Sequence, residues 1–325
     1  MSVKITEEYI KLLNDAVSRE FQVSIQYFLQ HAKMEKILRR VKPENILLEK
    51  TTYDALGEIL KNFAIVEMKH AAAIMERIYY LGGEATTIAT KPKIGNTLSE
   101  FAKYGAEAEE EALVLYRKII SKANEFGDWK TKKLFQEIYR EEEDHYFKFE
   151  EFLDLDDSEP QGPESYETEW TKILTDDYFE LLNKAVASEI SAILQYVNQH
   201  EKASYLALRK KDTPLETIQD TNKADVISGM LKKIAMQEME HLEKISERVY
   251  LLGGECVYNP DPLPQVGKTA DDFLKLNHKA EDEAIVLYKE IIAEAFKRGD
   301  TATRRIFEDI VIEEDEHYWM FDDFF

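Results

Sequence analysis

Four Glu-x-x-His pairs interrupt apolar runs of this chain: Glu67/His70, Glu142/His145, Glu238/His241 and Glu314/His317. A Glu and a His three residues apart lie one turn apart on one face of a helix, so both side chains address the same place. That place should be water, because Glu and charged His are seldom buried without a partner. Around Glu67, however, Leu60, Phe63, Ala64, Ala71 and Ile74 recur at helical spacing and mark a stripe that faces a core. A carboxylate in the middle of such a stripe must be neutralised by something.

The surroundings of these pairs occur twice. Leu12-Leu13-Asn14 returns as Leu181-Leu182-Asn183, Gln26-Tyr27 as Gln195-Tyr196, and Gly82-Gly83-Glu84 as Gly253-Gly254-Glu255. Glu142 through Tyr146 returns as Glu314 through Tyr318, so the chain is a tandem duplication. Polar, Pro-containing sequence between the copies predicts a linker at 156–172, between domains at 1–155 and 173–325. Each copy predicts four helices. In the first copy they run from near Thr6 to about Arg40, and from about Asp54 to Leu81 ahead of a Gly82-Gly83 C-cap. The third runs from a Thr97/Glu100 capping box to Gly127, and the fourth from Asp128 to near Leu153. Thr86 to Asn96, with Pro92 and Gly95, reads as a loop long enough to cross over a bundle. In the second copy Thr175 opens a helix, Gly253-Gly254 closes the next, and Gly299-Asp300 divides the last two. The predicted fold class is all-α: two four-helix bundles, each up-down-down-up with the long crossover between the second and third helices. A helical repeat solenoid fits less well, because the period far exceeds the usual repeat lengths.

Composition narrows the partners. The 325 residues carry a formal net charge of -22, which argues against nucleic acid and anionic membrane, since both need clustered Lys and Arg. Cys256 is the only cysteine, so neither an internal disulfide nor a Cys-rich metal site is expected. No apolar run is long enough to span a bilayer, and Met1 to Thr6 lacks a basic segment followed by an apolar core. The expected setting is a reducing cytoplasm.

The remaining helices place further carboxylates opposite the pairs. Glu20 lies on the stripe Leu13, Ala16, Val17, Val23 and Tyr27, and Glu109 on Ala102, Ala106, Ala112, Leu113 and Tyr116. Each copy thus offers one inward Glu from two helices and an inward Glu-x-x-His from the other two, which is how di-metal helix bundles are built. The set is Glu20, Glu67, His70, Glu109, Glu142 and His145, repeated as Glu189, Glu238, His241, Glu281, Glu314 and His317. Four carboxylates converging in a low-dielectric core would repel, protonate or splay the helices. Two divalent cations would cancel them, and two neutral imidazoles would complete the coordination. Oxygen and imidazole ligands without thiolate suit iron or manganese, while zinc would bind without redox chemistry. One such pair in so acidic a chain would read as a solvated face, but twelve residues at matched positions favour the metal. Tyr27 and Tyr196, seven residues after Glu20 and Glu189, should lie beside the metals as packing, as hydrogen-bond donors or in electron delivery. His31 and His200, with Phe28 and Val197 three residues before them, read as structural, and His278 and Cys256 carry no assigned role.

These residues resemble bacterioferritin. Gln26-Tyr27-Phe28-Leu29 followed by His31-Ala32, then Glu67-Met68-Lys69-His70-Ala71 and Glu76-Arg77-Ile78, look like that family's first two helices, and the spacing from Ile94-Gly95 to Glu109 looks like its third. The resemblance implies ferritin-like bundles with a ferroxidase-type di-iron centre at the six residues of each half, Glu67 and Glu142 bridging in the first. It implies oxidation of Fe(II) with O2 or H2O2, in iron homeostasis or protection from oxidative stress. The family's haem is held between two subunits by a Met directly after the second-helix Glu, the place of Met68 and Met239. One residue past a ligand, a side chain points about 100° away from the site. The two halves are therefore expected to pack as a pseudo-dimer with these methionines facing each other, holding haem or simply packing as soft apolar side chains. The family's short fifth helix has no counterpart before Phe324-Phe325, so a hollow shell is not expected, although a smaller homo-oligomer is compatible. Two other readings stand beside this one: a di-metal oxidase or peroxidase acting on another substrate, and a bundle whose metals only stabilise it.

Overall fold

A computed structural model describes residues 5–38, 46–153, 173–208 and 215–324. They form α1 (Glu7–Leu38), α2 (Ile46–Tyr80), α3 (Leu98–Glu125), α4 (Trp129–Glu150), α5 (Asp176–Leu208), α6 (Leu215–Leu251), α7 (Ala270–Arg298) and α8 (Thr301–Asp322), with no strand among the described residues. No helix among them is long and apolar enough to cross a membrane. The contacts divide the chain into two compact units, Met1–Gly162 and Pro163–Phe325. The expected linker at 156–172 lies outside the described residues.

In the first unit α1 packs along α2 and α3, and α4 along α3 and α2; α5 to α8 repeat the arrangement. The buried stripes are those of the periodic apolar positions, with Leu13, Leu60, Ala64, Ala71, Ile74, Tyr116 and Phe135 fully covered. Gly82, with φ of 79°, closes α2 in the left-handed region that a C-cap requires. Asp128 caps α4 through the Thr131 N–H, and Arg77 and Tyr9 bind the same carboxylate, tying α1 and α2 to the start of α4. Asp300, Arg248 and Tyr178 do this in the second unit.

Two local expectations differ in detail. At α3 the Thr97 hydroxyl accepts from Glu100 N, but the Glu100 carboxylate accepts from Asn96 N instead of closing the box on Thr97; the full capping box occurs at Thr269/Asp272 of α7. Helix α2 starts at Ile46, eight residues before the expected boundary near Asp54. Asp54 looks like a cap in the sequence, but it is exposed within the helix, where its side chain meets water.

The crossover between α2 and α3 is not a free loop. It runs along α1, held by a polar stripe at helical spacing. Asn14 bonds Glu84 O and Thr86 N, Gln22 accepts from the Thr90 hydroxyl, and Gln26 accepts from Lys93 N. Gln30 donates to Ile94 O, and Lys33 donates to Gly95 O. Asn183, Gln195, Gln199 and Lys202 hold the second crossover to α5 in the same way. The backbone of an irregular segment is thereby satisfied in part by side chains.

Candidate metal centres

All twelve carboxylates and imidazoles singled out in the sequence are buried, none more than 6% exposed. The ligand-type atoms of Glu20, Glu67, His70 and Glu142 lie within 4.8 Å of one another, as do those of Glu67, Glu109, Glu142 and His145. The second half forms the same two quartets, Glu189/Glu238/His241/Glu314 and Glu238/Glu281/Glu314/His317. Two glutamates in each half, one from each Glu-x-x-His pair, therefore belong to both quartets.

Both imidazoles of a half turn Nδ1 inward. His70 Nδ1 is 3.0 Å from Glu67 Oε2 and 3.0 Å from Glu142 Oε1, and His145 Nδ1 is 2.8 Å from Glu67 Oε1. In the second half the shortest approaches are 2.9 Å for His241 to Glu238 and 3.2 Å for His317 to Glu314. Some of these approaches are hydrogen bonds, His70 Nδ1 to Glu67 Oε2, His241 Nδ1 to Glu238 Oε2 and His317 Nδ1 to Glu314 Oε2, but others are not. Glu67 Oε1, Glu109 Oε2, both oxygens of Glu142 and His145 Nδ1 make no hydrogen bond, although they lie close together. Buried acceptors are otherwise almost always satisfied. Lone pairs that converge on shared points instead of on donors are what a pair of cations requires.

The protein also balances these charges internally. Burial opposes charge on Glu67, but the imidazoles of His145 and His70 outweigh it and hold the carboxyl well below its usual range. Burial, and then the charges of Glu142 and Glu67, push Glu20 well above its usual range, and Glu109 is raised in the same way. Burial works against a charged His145, yet Glu142 and Glu67 raise it to about 10. In the second half Glu238 lies at about 2 and His317 at about 9, by the same balance of burial against ion pairing. Protons on the imidazoles and outer glutamates thus make the buried carboxylates tolerable, and a cation binding there displaces them.

Further side chains complete each centre. Tyr27 donates to Glu109 Oε1 across the bundle, not to Glu20 on its own helix, and Tyr116 donates to Glu20 Oε1. Tyr196 and Tyr288 do the same for Glu281 and Glu189. Tyr116 follows Glu109 by seven residues, the spacing by which Tyr27 follows Glu20, so the sequence carries the signal for its role. Glu141, next to Glu142, takes His70 Nε2 at 2.8 Å, and Glu313 takes His241 Nε2 at 3.0 Å. Neither was expected, because each sits one residue off the inward stripe. His145 instead stacks on Phe63 with ring centroids 3.8 Å apart. His31 and His200 lie outside the centres and donate to backbone carbonyls of Gly57 and Ser228, a structural role.

The ferritin-like domain family matches residues 10–158 and 219–325. A bacterioferritin of Desulfovibrio desulfuricans is 32% identical over 138 residues, 42% of this chain and 68% of that protein. A bacterioferritin of Brucella melitensis is 28% identical over 147 residues, 45% of this chain and 83% of that protein. Among solved structures, the Desulfovibrio desulfuricans bacterioferritin, determined with its diiron site in different catalytic states, aligns at 26% identity and a TM-score of 0.40, covering 49% of this chain and 82% of that one.

Proposed function

Because the chain belongs to the ferritin-like family, close to bacterioferritin and with the arrangement duplicated, we propose that it is a ferroxidase-type oxidoreductase. Its substrate is Fe(II), oxidised with O2 or H2O2 at a carboxylate–imidazole centre in each half. The observation that carries this reading is the pair of buried quartets sharing two glutamates. When bound there, two iron ions supply two electrons together to one oxygen-containing oxidant. Manganese suits the same ligands, and the bacterioferritin relatives favour iron.

The residues have distinct parts in this reading. Glu67 and Glu142 belong to both quartets of the first half, as Glu238 and Glu314 do in the second, and would be shared between the two cations. Glu20 and Glu109 each serve one position and are oriented by Tyr116 and Tyr27. Burial, then Glu20 for Tyr116 and Glu109 for Tyr27, push these phenols well above their usual range, so they remain protonated donors. Phe63 and Phe149 wall the first centre and limit water. The second centre meets a cavity of about 50 Å³. A water needs roughly 10–15 Å³ of such space, and organic ligands occupy pockets of about 300 Å³ or more. That size favours a metal ion, O2 or peroxide over an organic substrate.

The test is anaerobic loading with Fe(II) followed by rapid mixing with O2 or with H2O2. Oxidation should outpace the protein-free control and drop to it in the combined variant Glu67→Ala/Glu238→Ala. If iron binds and raises the melting temperature while oxidation only matches the control, the centres are structural. We further infer a cytoplasmic setting and a pseudo-dimer of the halves. Met68 and Met239 would bind haem there only if a Soret band appears on haem addition and is lost on their replacement by Ala.

A further inference from the structure

The two halves differ beside their centres. In the second half, Ser188, Ser191 and Ala192 of α5 line the cavity that reaches Glu189, Glu238, Glu281 and Glu314, and the exposed Glu283 also lines it. The repeat register aligns these three small residues with Arg19, Gln22 and Val23 of α1, and Glu283 with Glu111. Every one of the three is larger in the first half.

Arg19 stands at the corresponding position of the first half. It is only 7% exposed, although it carries a guanidinium. Its Nη1 lies 3.8 Å from Glu111 Oε2, the counterpart of the cavity-lining Glu283. None of its nitrogens makes a hydrogen bond, so its burial and the Glu111 carboxylate are what hold it. The groups that act on its charge are Glu109, Tyr116, Tyr27 and Glu20, and their counterparts Glu281, Tyr288, Tyr196 and Glu189 all line the second-half cavity. Gln22 is tied to the crossover through Thr90, and Val23 is buried.

We infer that Arg19, with Gln22 and Val23, closes to divalent cations at the first centre the route that Ser188, Ser191 and Ala192 leave open at the second, so that one chain carries a fast-loading and a slow-loading centre. The closure is both steric and electrostatic. A guanidinium fills the space, and its charge faces the acidic residue that would otherwise draw cations in. The proposal rests on the reading of the quartets as divalent-cation sites.

Anaerobic stopped-flow mixing with Co(II), followed by its visible ligand-field absorbance, tests both without any turnover. Wild type is expected to load in two phases, the slow one lost in Glu67→Ala/Glu142→Ala and the fast one lost in Glu238→Ala/Glu314→Ala. The triple change Arg19→Ser/Gln22→Ser/Val23→Ala should merge the slow phase into the fast one. Ser188→Arg, made in the other half, should remove the fast phase while leaving the final amplitude intact. A single common phase in wild type, or a Ser188→Arg protein that loads like wild type, overturns the gate while the cation sites stand. No Co(II) bound at equilibrium overturns the sites as well.

Discussion

His70 is gripped on both sides: Nδ1 faces the buried carboxylates, and Nε2 meets Glu141 at 2.8 Å. An outer carboxylate fixes the orientation of such a ring and raises its basicity, and its loss commonly costs about 10–100-fold in metal affinity. Glu141→Ala should therefore weaken divalent-metal binding in the first half by roughly that factor, with the second half unchanged; chelator competition measures it. Unchanged affinity in both halves would mean that packing alone orients His70. Gly105 makes a second residue-scale case. A Cβ there would lie 2.6 Å from the Phe149 ring, which is fully buried against Tyr27 and Phe63. Overpacking of this kind costs about 1–3 kcal/mol, so Gly105→Ala should lower the denaturation midpoint accordingly. The second half places Asn277 at this register and bonds it to Gln195, so the same position has two packing solutions. The quartet residues were legible one by one because a carboxylate on an apolar stripe contradicts its surroundings. Glu141 and Arg19 were not, since each reads as an ordinary surface charge until the neighbouring helices are in place.

At the scale of elements, the caps and crossovers govern stability. Asp128 starts α4 and also receives Arg77 and Tyr9. Burial works to raise its pKa, yet the bonds from Thr131 and the charge of Arg77 leave it below its usual value. A carboxyl depressed in the folded state contributes stability above its unfolded pKa, near 4, and loses it as pH falls through the folded value. Asp128→Asn keeps an acceptor for the cap but no charge. The variant should be less stable than wild type at neutral pH, and the gap should close below about pH 4; melting curves against pH decide this. Helix boundaries were largely readable, because periodicity and caps are local. The binding of the crossovers to α1 and α5 was not, although Asn14, Gln22, Gln26 and Gln30 recur at multiples of four residues and form a polar stripe on one face of the helix. An amide stripe announces that something polar will lie on it, not which segment does.

For the whole molecule, duplication gives two units with their own cores and their own centres. Ligand binding to the folded state alone stabilises it by about 2.7 kcal/mol at a hundredfold excess over Kd. Anaerobic Mn(II) should therefore raise the melting temperature, and Glu67→Ala/Glu142→Ala should confine the shift to the part of the transition contributed by the second unit. Differential scanning calorimetry with and without metal follows both; a metal-independent curve would remove the centres from the account of stability. From sequence alone came the duplication, the eight helices, and twelve acidic and imidazole side chains on inward stripes, because helical periodicity and carboxylate burial are both local arguments. Only the tertiary structure decided that Tyr27 serves Glu109 across the bundle, that Glu141 takes the outer nitrogen of His70, and that Arg19 is buried beside Glu111. Which atoms meet across helices depends on how long side chains reach and turn in a packed interior, and no spacing along one chain encodes that.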